Sequence, residues 1–383
     1  MKLSKWPNFT NKEIIATKKI LISGKVNYWT GNENKKFEKK FQNFFKIKHA
    51  IAISNGTAGL YLAVKALNLK KGSEIIVSPR SYYASASCII MNDCIPKFSD
   101  IDLNSQNLSI ENLKKDISKN TKAIICVHLN GYPCDMEEIL KIAKQKNIFV
   151  IEDCSQSHGA MIGNKYVGTF GDIGVWSFCQ DKIISTSGEG GMIATNNTSL
   201  YKKIWSLKDQ GRNINKIKKI KGNKFRYIHD YIGFNFRMTE IQAKIGSIQL
   251  SNLRRYIEIR NFNANIIINF LKNYQKIFEP IKIKNNYKHA FYRLCVRLKL
   301  SKKKVDQLLN FCYSKNIEVT SGPCPEIYKE KTFNKYMGNN FKLKNANYLS
   351  GRTISFLVDH TISKKEIIIF LKKFKFALSK IYQ

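Results

Sequence analysis

With 383 residues, 43% of them hydrophobic and 12% aromatic, the chain can bury a substantial core. That excludes intrinsic disorder as its main state and suits a large domain joined to a smaller one. Lysine and arginine total 65 against 28 acidic residues, a net charge of +37, which fits either a nucleic-acid binder or a lysine-rich solvated surface.

The basic residues are scattered, as at Lys35-Lys36 and Lys202-Lys203, and no nucleic-acid motif accompanies them. The solvated-surface reading is therefore preferred, and no nucleic-acid partner is expected. The opening residues, Met1 to Pro7, lack the apolar centre of a signal peptide, and no apolar run is long enough to cross a bilayer. The expected location is the cytoplasm, with no membrane partner. Strands are predicted at 50–53, 74–78, 95–99, 123–128, 149–152, 174–178 and 192–195. Several are near-continuous isoleucine and valine runs, the mark of strands covered on both faces. Helical patterns fit between them at 59–67, 84–91 and 136–146. This alternation predicts an α/β fold, a large domain with a mostly parallel seven-stranded sheet between helices. The densest basic run, 216–221, can steer an anionic substrate. From 240 to about 274 a long helix, broken once, is expected. A strand at 292–298, a helix at 302–314, a strand at 353–357 and a helix at 363–380 then suggest a smaller C-terminal α+β domain. The boundary is set near residue 250, giving domains 1–250 and 251–383. The nine cysteines include no C-x-x-C pair, and Cys126, Cys154 and Cys179 sit in apolar runs. Reduced core thiols fit better than disulfides or zinc, and with the six histidines dispersed no metal site is expected.

Ligands of open α/β sheets bind outside the carboxyl ends of the strands, so the strand-end loops are the candidates. The first is Ser54-Asn55-Gly56-Thr57-Ala58-Gly59. Gly56 permits close backbone approach, Thr57 offers a hydroxyl, and the following helix offers free N–H groups, together a phosphate cradle or simply a helix cap. The second, Pro79-Arg80-Ser81-Tyr82-Tyr83, presents an aromatic that can stack on a flat ligand or pack structurally. In the third, Glu152-Asp153-Cys154-Ser155-Gln156, an aspartate directly follows an apolar strand. It either caps the next turn or faces a cation such as a protonated pyridine nitrogen. In the fourth, Lys182 lies between the strand ending at Ser177-Phe178 and the turn Gly188-Glu189-Gly190-Gly191. A lysine held in such a pocket can lose its proton and form a Schiff base; otherwise it is a solvated surface residue.

Taken in order, these loops have the layout of a pyridoxal-phosphate enzyme. The sequence resembles the DegT/DnrJ/StrS family of sugar aminotransferases over nearly the whole chain. The resemblance is carried by Asn55-Gly56-Thr57, the run from Glu152 to Ala160, the run from Ser177 to Gly191, and the run from Gly233 to Gln242. It implies that Lys182 is the Schiff-base lysine and that Asp153 pairs with the pyridine nitrogen of pyridoxal 5'-phosphate. It places Tyr82 on the ring, Gln156 at the phenolic oxygen side, and Gly56, Thr57 and Ser177 at the phosphate. It assigns Asn235 to the cofactor phosphate of the neighbouring subunit, which implies a homodimer with shared active sites. Tyr82-Tyr83 and Arg80 depart from the family pattern, as does Cys179, where a histidine is commoner. Relatives with histidine in place of Lys182 dehydrate instead of transaminating, and Lys182 argues against that branch.

The activity implied is transfer of an amino group from glutamate to an anionic keto sugar. A nucleotide-linked keto-deoxyhexose is expected, serving polysaccharide or other glycoconjugate synthesis. The alternatives are a small phosphorylated ketone or a cyclitol as acceptor, or a non-catalytic cofactor-dependent regulator. Tyr28-Trp29-Thr30-Gly31 and residues 321–326 are the expected acceptor loops.

Overall fold

The computed structural model describes residues 3–218, 227–279, 281–338 and 341–381. The apolar runs form β1 (His49–Ile53), β2 (Glu74–Val77), β3 (Ile95–Phe98), β4 (Thr121–Val127) and β5 (Phe149–Asp153). After a hairpin of β6 (Met161–Ile162) and β7 (Lys165–Tyr166), the sheet is completed by β8 (Ile173–Ser177) and β9 (Gly191–Thr195). The seven strands lie in the order β1-β9-β8-β5-β4-β2-β3. β9 runs against both β1 and β8, and the other pairs are parallel. The expected mostly parallel sheet is therefore present. Its isoleucines and valines are buried on both faces, as Ile75, Ile76, Ile124, Ile125 and Ile151 show. One face packs on the helices Gly56–Ala66, Ala84–Ile90 and Thr198–Lys208. The other packs on the helix Met136–Lys146 and on an aromatic cluster of Phe37, Phe41, Phe45, Trp176 and Phe178.

The first of these helices starts at Gly56, three residues before the predicted 59, because the Asn55 side chain accepts from the Ala58 N–H (2.8 Å) and caps it. Gly56 and Thr57 thus form its first turn.

The long C-terminal helix, Glu240–Leu271, is unbroken, against expectation. Thr239 and Gln242 close a capping box at its start. The glycine within it, Gly246, marks an approach rather than a break: a Cβ there would lie 2.6 Å from the Phe37 ring. Residue 250 falls inside this helix. Beyond it, β10 (Phe278–Glu279), β12 (Leu294–Leu298), β14 (Thr353–Phe356) and β13 (Val319–Ser321) form an antiparallel sheet in that order. The helices Lys302–Ser314 and Lys364–Ile381 share its core. β11 (Tyr287–Lys288) pairs instead with β6. The N-terminal segment crosses to this part of the molecule. Leu3 joins its core, and Trp6 packs edge-on against His360 at 4.6 Å.

Of the basic run 216–221, residues 216–218 end the short helix Ile214–Lys218, and 219–221 lie outside the described residues. All nine cysteines are free, and Cys179 lies half-buried just after β8 rather than within a core strand. Among the described residues no helix is long and apolar enough to cross a membrane.

Candidate active site

A cavity of about 570 Å³ opens beside the carboxyl ends of β5 and β8. Gly56, Thr57, Tyr82, Asp153, Gln156, Ser177 and Lys182 all line it. Asn235 does not.

Gly56 is pressed against β8: a Cβ on it would lie 2.7 Å from the Ser177 Cβ. Only glycine keeps this corner open. The first N–H groups of a helix have no partner within it, and its dipole end is positive. Asn55 takes the Ala58 N–H and leaves those of Gly56 and Thr57 for an anion. Ser177 closes the corner as the last residue of β8.

Asp153 ends β5 and is buried. Its carboxylate accepts from Ser85 Oγ (2.7 Å) and the Ser155 N–H (3.0 Å). Ser85 Oγ lies in turn 2.7 Å from Ser81 Oγ. Two donors orient the carboxylate in the cavity wall, and among the described residues no cationic side chain pairs with it. A buried carboxylate so placed suits a cationic ligand group.

The two tyrosines divide. Tyr83 donates to Thr332 Oγ1 (3.2 Å) and packs against Phe333, while Tyr82 is 71% exposed and lines the cavity. Gln156 Oε1 accepts the Asn130 N–H (2.7 Å), leaving its NH₂ group to donate. Lys182 reaches the cavity from the loop after β8, with Nζ 3.2 Å from Asp181 Oδ2 and 5.0 Å from the centre of the Tyr292 ring. Burial alone would lower its pKa, but Tyr292 and Asp181 outweigh burial and the net shift is upward. Behind it, His158 is buried, and burial followed by the Lys182 charge takes its pKa down to about 3.

Asn235 is exposed, in a segment that bridges to Asp209. The Phe236 carbonyl accepts the Ser54 N–H (2.9 Å), and Arg237 Nη1 donates to Asp209 Oδ1 (2.6 Å). The segment is held at both ends, and Asn235 is not among the residues lining the chain's own cavity.

His128, Glu152 and Cys154 place possible ligand atoms within 4.8 Å of one another on the far side of β5. Glu152 already accepts the N–H groups of Gly168, Phe170 and Gly171, and pairs with His128 Nε2 at 3.0 Å. These bonds tie the 168–171 turn to the strand that carries Asp153.

Several lining residues escaped the sequence reading: Asp181, Tyr292, Ser85 and Glu189. Asp181 had a signal in its position beside Lys182. Tyr292 had none.

A glycine-closed corner at a helix start, a buried carboxylate and a lysine on one cavity of an α/β sheet suit a pyridoxal-phosphate enzyme. The chain belongs to the DegT/DnrJ/EryC1/StrS aminotransferase family, whose model matches residues 7–373. It is 35% identical over 362 residues to the GDP-perosamine synthase of Escherichia coli O157:H7, covering 94% of each chain. It superposes on the X-ray structure of the aminotransferase from Psychrobacter cryohalolentis with a TM-score of 0.96, at 36% identity and over 100% of both chains. It also superposes on E. coli GDP-4-keto-6-deoxy-D-mannose-3-dehydratase with bound hydrated pyridoxal phosphate. There the TM-score is 0.86 and the identity 28%, over 97% of this chain and 98% of that one. The chain is an aminotransferase that uses pyridoxal phosphate and acts on a sugar.

Proposed function

We propose that the enzyme moves the amino group of glutamate to the keto carbon of a nucleotide-linked 4-keto-6-deoxyhexose. It works in the cytoplasm as a two-fold dimer with shared active sites. GDP-4-keto-6-deoxymannose is the leading acceptor, because the relative matched over 94% of both chains makes GDP-perosamine. The observation that carries the reading is the single cavity holding the Lys182 amine and the Asp153 carboxylate together with the Gly56 anion corner. The retained lysine favours amination over dehydration.

When bound, pyridoxal phosphate supplies an electron sink for the charge that develops at the amino-bearing carbon. The residues do the rest. Gly56 and Thr57 N–H groups and the hydroxyls of Thr57 and Ser177 hold the phosphate. Asp153 holds a proton on the ring nitrogen by opposite charge, oriented by Ser85 and Ser155. Gln156, whose NH₂ group is free to donate, would serve the phenolic oxygen, and Tyr82 would contribute its aromatic face to the ring. Lys182, once its amine is free, would take the proton from the donor's α-carbon and hold it on Nζ for return. The same residues run the steps in reverse on the keto sugar, after the keto acid product has left.

The test is turnover. With glutamate and GDP-4-keto-6-deoxymannose, the enzyme is expected to form 2-oxoglutarate and an amino-sugar nucleotide in equal amounts. Turnover of a cyclitol ketone or a small phosphorylated ketone, with no nucleotide-linked keto sugar accepted, would sink the reading.

The shared site has its own test. Asn235 is assigned to the partner's phosphate. A chain carrying Asn235→Ala and a chain carrying Lys182→Ala are each expected to be nearly inactive as homodimers. After subunit exchange, a mixed dimer has one site with both defects and one with neither, so activity returns. No recovery in proven mixed dimers would place Asn235 within its own chain's site or outside any site.

A further inference from the structure

Asp181 and Tyr292 line the cavity and have no part in the steps above. Asp181 Oδ2 lies 3.2 Å from Lys182 Nζ and accepts a hydrogen bond from the Tyr292 hydroxyl. The lysine ammonium also sits against the Tyr292 ring, 5.0 Å from its centre. A carboxylate fixed by a hydroxyl donor, with an aromatic face beside it, matches a primary ammonium in charge, hydrogen bonding and cation–π attraction.

The pair is rigidly mounted, although its members come from distant parts of the chain. The Tyr292 N–H donates to the Asn130 carbonyl (2.9 Å). The carbonyls of Phe291 and Tyr292 both accept from Nη1 of the buried Arg260 (3.2 Å each), on the long helix. The Asn130 N–H donates to Gln156 Oε1 (2.7 Å), so Tyr292 is registered against the cofactor side of the cavity. Asn130 (φ 55°) and Phe291 (φ 46°) are both left-handed. Non-glycine residues keep that conformation only where their surroundings hold it.

A Lys182 amine bonded to the cofactor is no longer a primary ammonium, so the pair then lacks its partner. We propose that Asp181 and Tyr292 form a docking point for a primary ammonium group. Lys182 fills it in the cofactor-free protein, and the donor's amino group fills it when Lys182 is tied to the cofactor. No bond is made or broken there; both are positioning residues. The second occupancy rests on the reading of Lys182 as the cofactor lysine.

The charged and titratable groups around the site are consistent with this. Cys179 and His158 stand next to Lys182, Glu189 and Asp153 line the same cavity, and Arg260 and Arg293 lie behind Tyr292. Burial tends to raise the Asp181 pKa, but the Lys182 charge and the Tyr292 hydroxyl hold it below the usual carboxylate range. With the Lys182 ammonium beside it, the carboxylate is held in its charged form.

The test separates the docking point from the cofactor reading. Cofactor-free wild-type and D181N proteins are acetylated with acetic anhydride across a pH series, and Lys182 labelling is read by peptide mass spectrometry. Exposed Lys122 serves as the control. Losing the carboxylate lowers the Lys182 midpoint by roughly one to two pH units, so the lysine labels about tenfold faster or more near neutral pH. D181E, which keeps the charge, stays closer to wild type. Tyr292→Leu, which removes the aromatic face and the hydroxyl, shifts the midpoint the same way and carries the test should D181N misfold. Equal midpoints in wild type and variant overturn the docking point. In the holoenzyme, D181N is expected to raise the KM for glutamate about tenfold, with a smaller change in kcat. An unchanged KM overturns the second occupancy. Borohydride fixation of the cofactor at Lys182 tests the functional reading alone. Its failure would remove that reading, and the labelling of cofactor-free protein would still decide the ammonium site.

Discussion

Replacing Lys182 by alanine is expected to abolish amino transfer and leave the fold intact. Lys182 is the one lysine lining the cavity among the described residues. Its side chain is 14% exposed and makes one ion pair, with Asp181. Asp181 is 41% exposed and keeps its bond from Tyr292, so the substitution strands no buried charge. Fold stability should therefore change little, in contrast to the removal of one partner from a fully buried pair. Activity should fall by more than roughly 10⁴, the upper range for loss of a single general acid–base group, since the covalent anchor goes with it. Two measurements check this. Borohydride should fix the cofactor to the Lys182 peptide of the wild-type protein and to no peptide of the variant, and the thermal transition should stay within a few degrees. A variant that still fixes the cofactor to its own chain would assign the role to another lysine.

What could be read from the sequence was what is local. Asp153 was legible because an apolar strand ends on it, and a polar residue at that position faces the ligand crevice of a parallel sheet. Lys182 was legible because the run from Ser177 to Gly191 ties a strand end to a glycine turn. Helix limits were less legible. The polar cluster from Ser54 to Thr57 reads as a turn, yet Asn55 caps a helix that already includes Gly56. One break was expected in the long helix, yet Glu240–Leu271 is continuous, and Gly246 within it is the point where Phe37 presses on the helix. Both depend on a partner remote in sequence, and local pattern does not carry such partners.

The rest of the site is assembled by tertiary contacts. Which of Tyr82 and Tyr83 faces the cavity is decided by Thr332 and Phe333, which engage Tyr83. Tyr292 enters the site because Arg260 and Asn130 hold its backbone from opposite sides. Arg260 lies on the long helix and Asn130 just past the end of β4, so only the finished fold brings the three together. Asn235 is a different case. The segment that carries it is pinned to Asp209 and Ser54, and nothing in the local pattern tells which site its exposed side chain serves.

Replacing Asp153 by asparagine is expected to separate catalysis from folding. The carboxylate is buried, and loss of a buried charged acceptor usually destabilises. Here the neighbours can adapt. The amide oxygen can still accept the Ser155 N–H, and the new NH₂ group can donate to Ser85 Oγ. Ser85 then turns its own proton toward Ser81 Oγ, 2.7 Å away, so the hydroxyl chain reverses direction and Ser81, which lines the cavity, turns its proton to the cavity side. The Ser81–Ser85–Asp153 chain therefore tolerates the exchange, and the phosphate corner at Gly56 and Ser177 is untouched. Cofactor affinity should fall only modestly. The catalytic loss is of another kind, because a neutral amide cannot hold the ring nitrogen protonated and the electron sink weakens. A drop of roughly 10²–10³ in the single-turnover rate with glutamate is expected, the size found for removal of one preorganised electrostatic group. Asp153→Ala is the control. It leaves Ser85 and Ser155 without an acceptor in a buried wall, so it should lose stability as well as rate. A near-normal single-turnover rate in the asparagine variant would show that Asp153 only caps its turn.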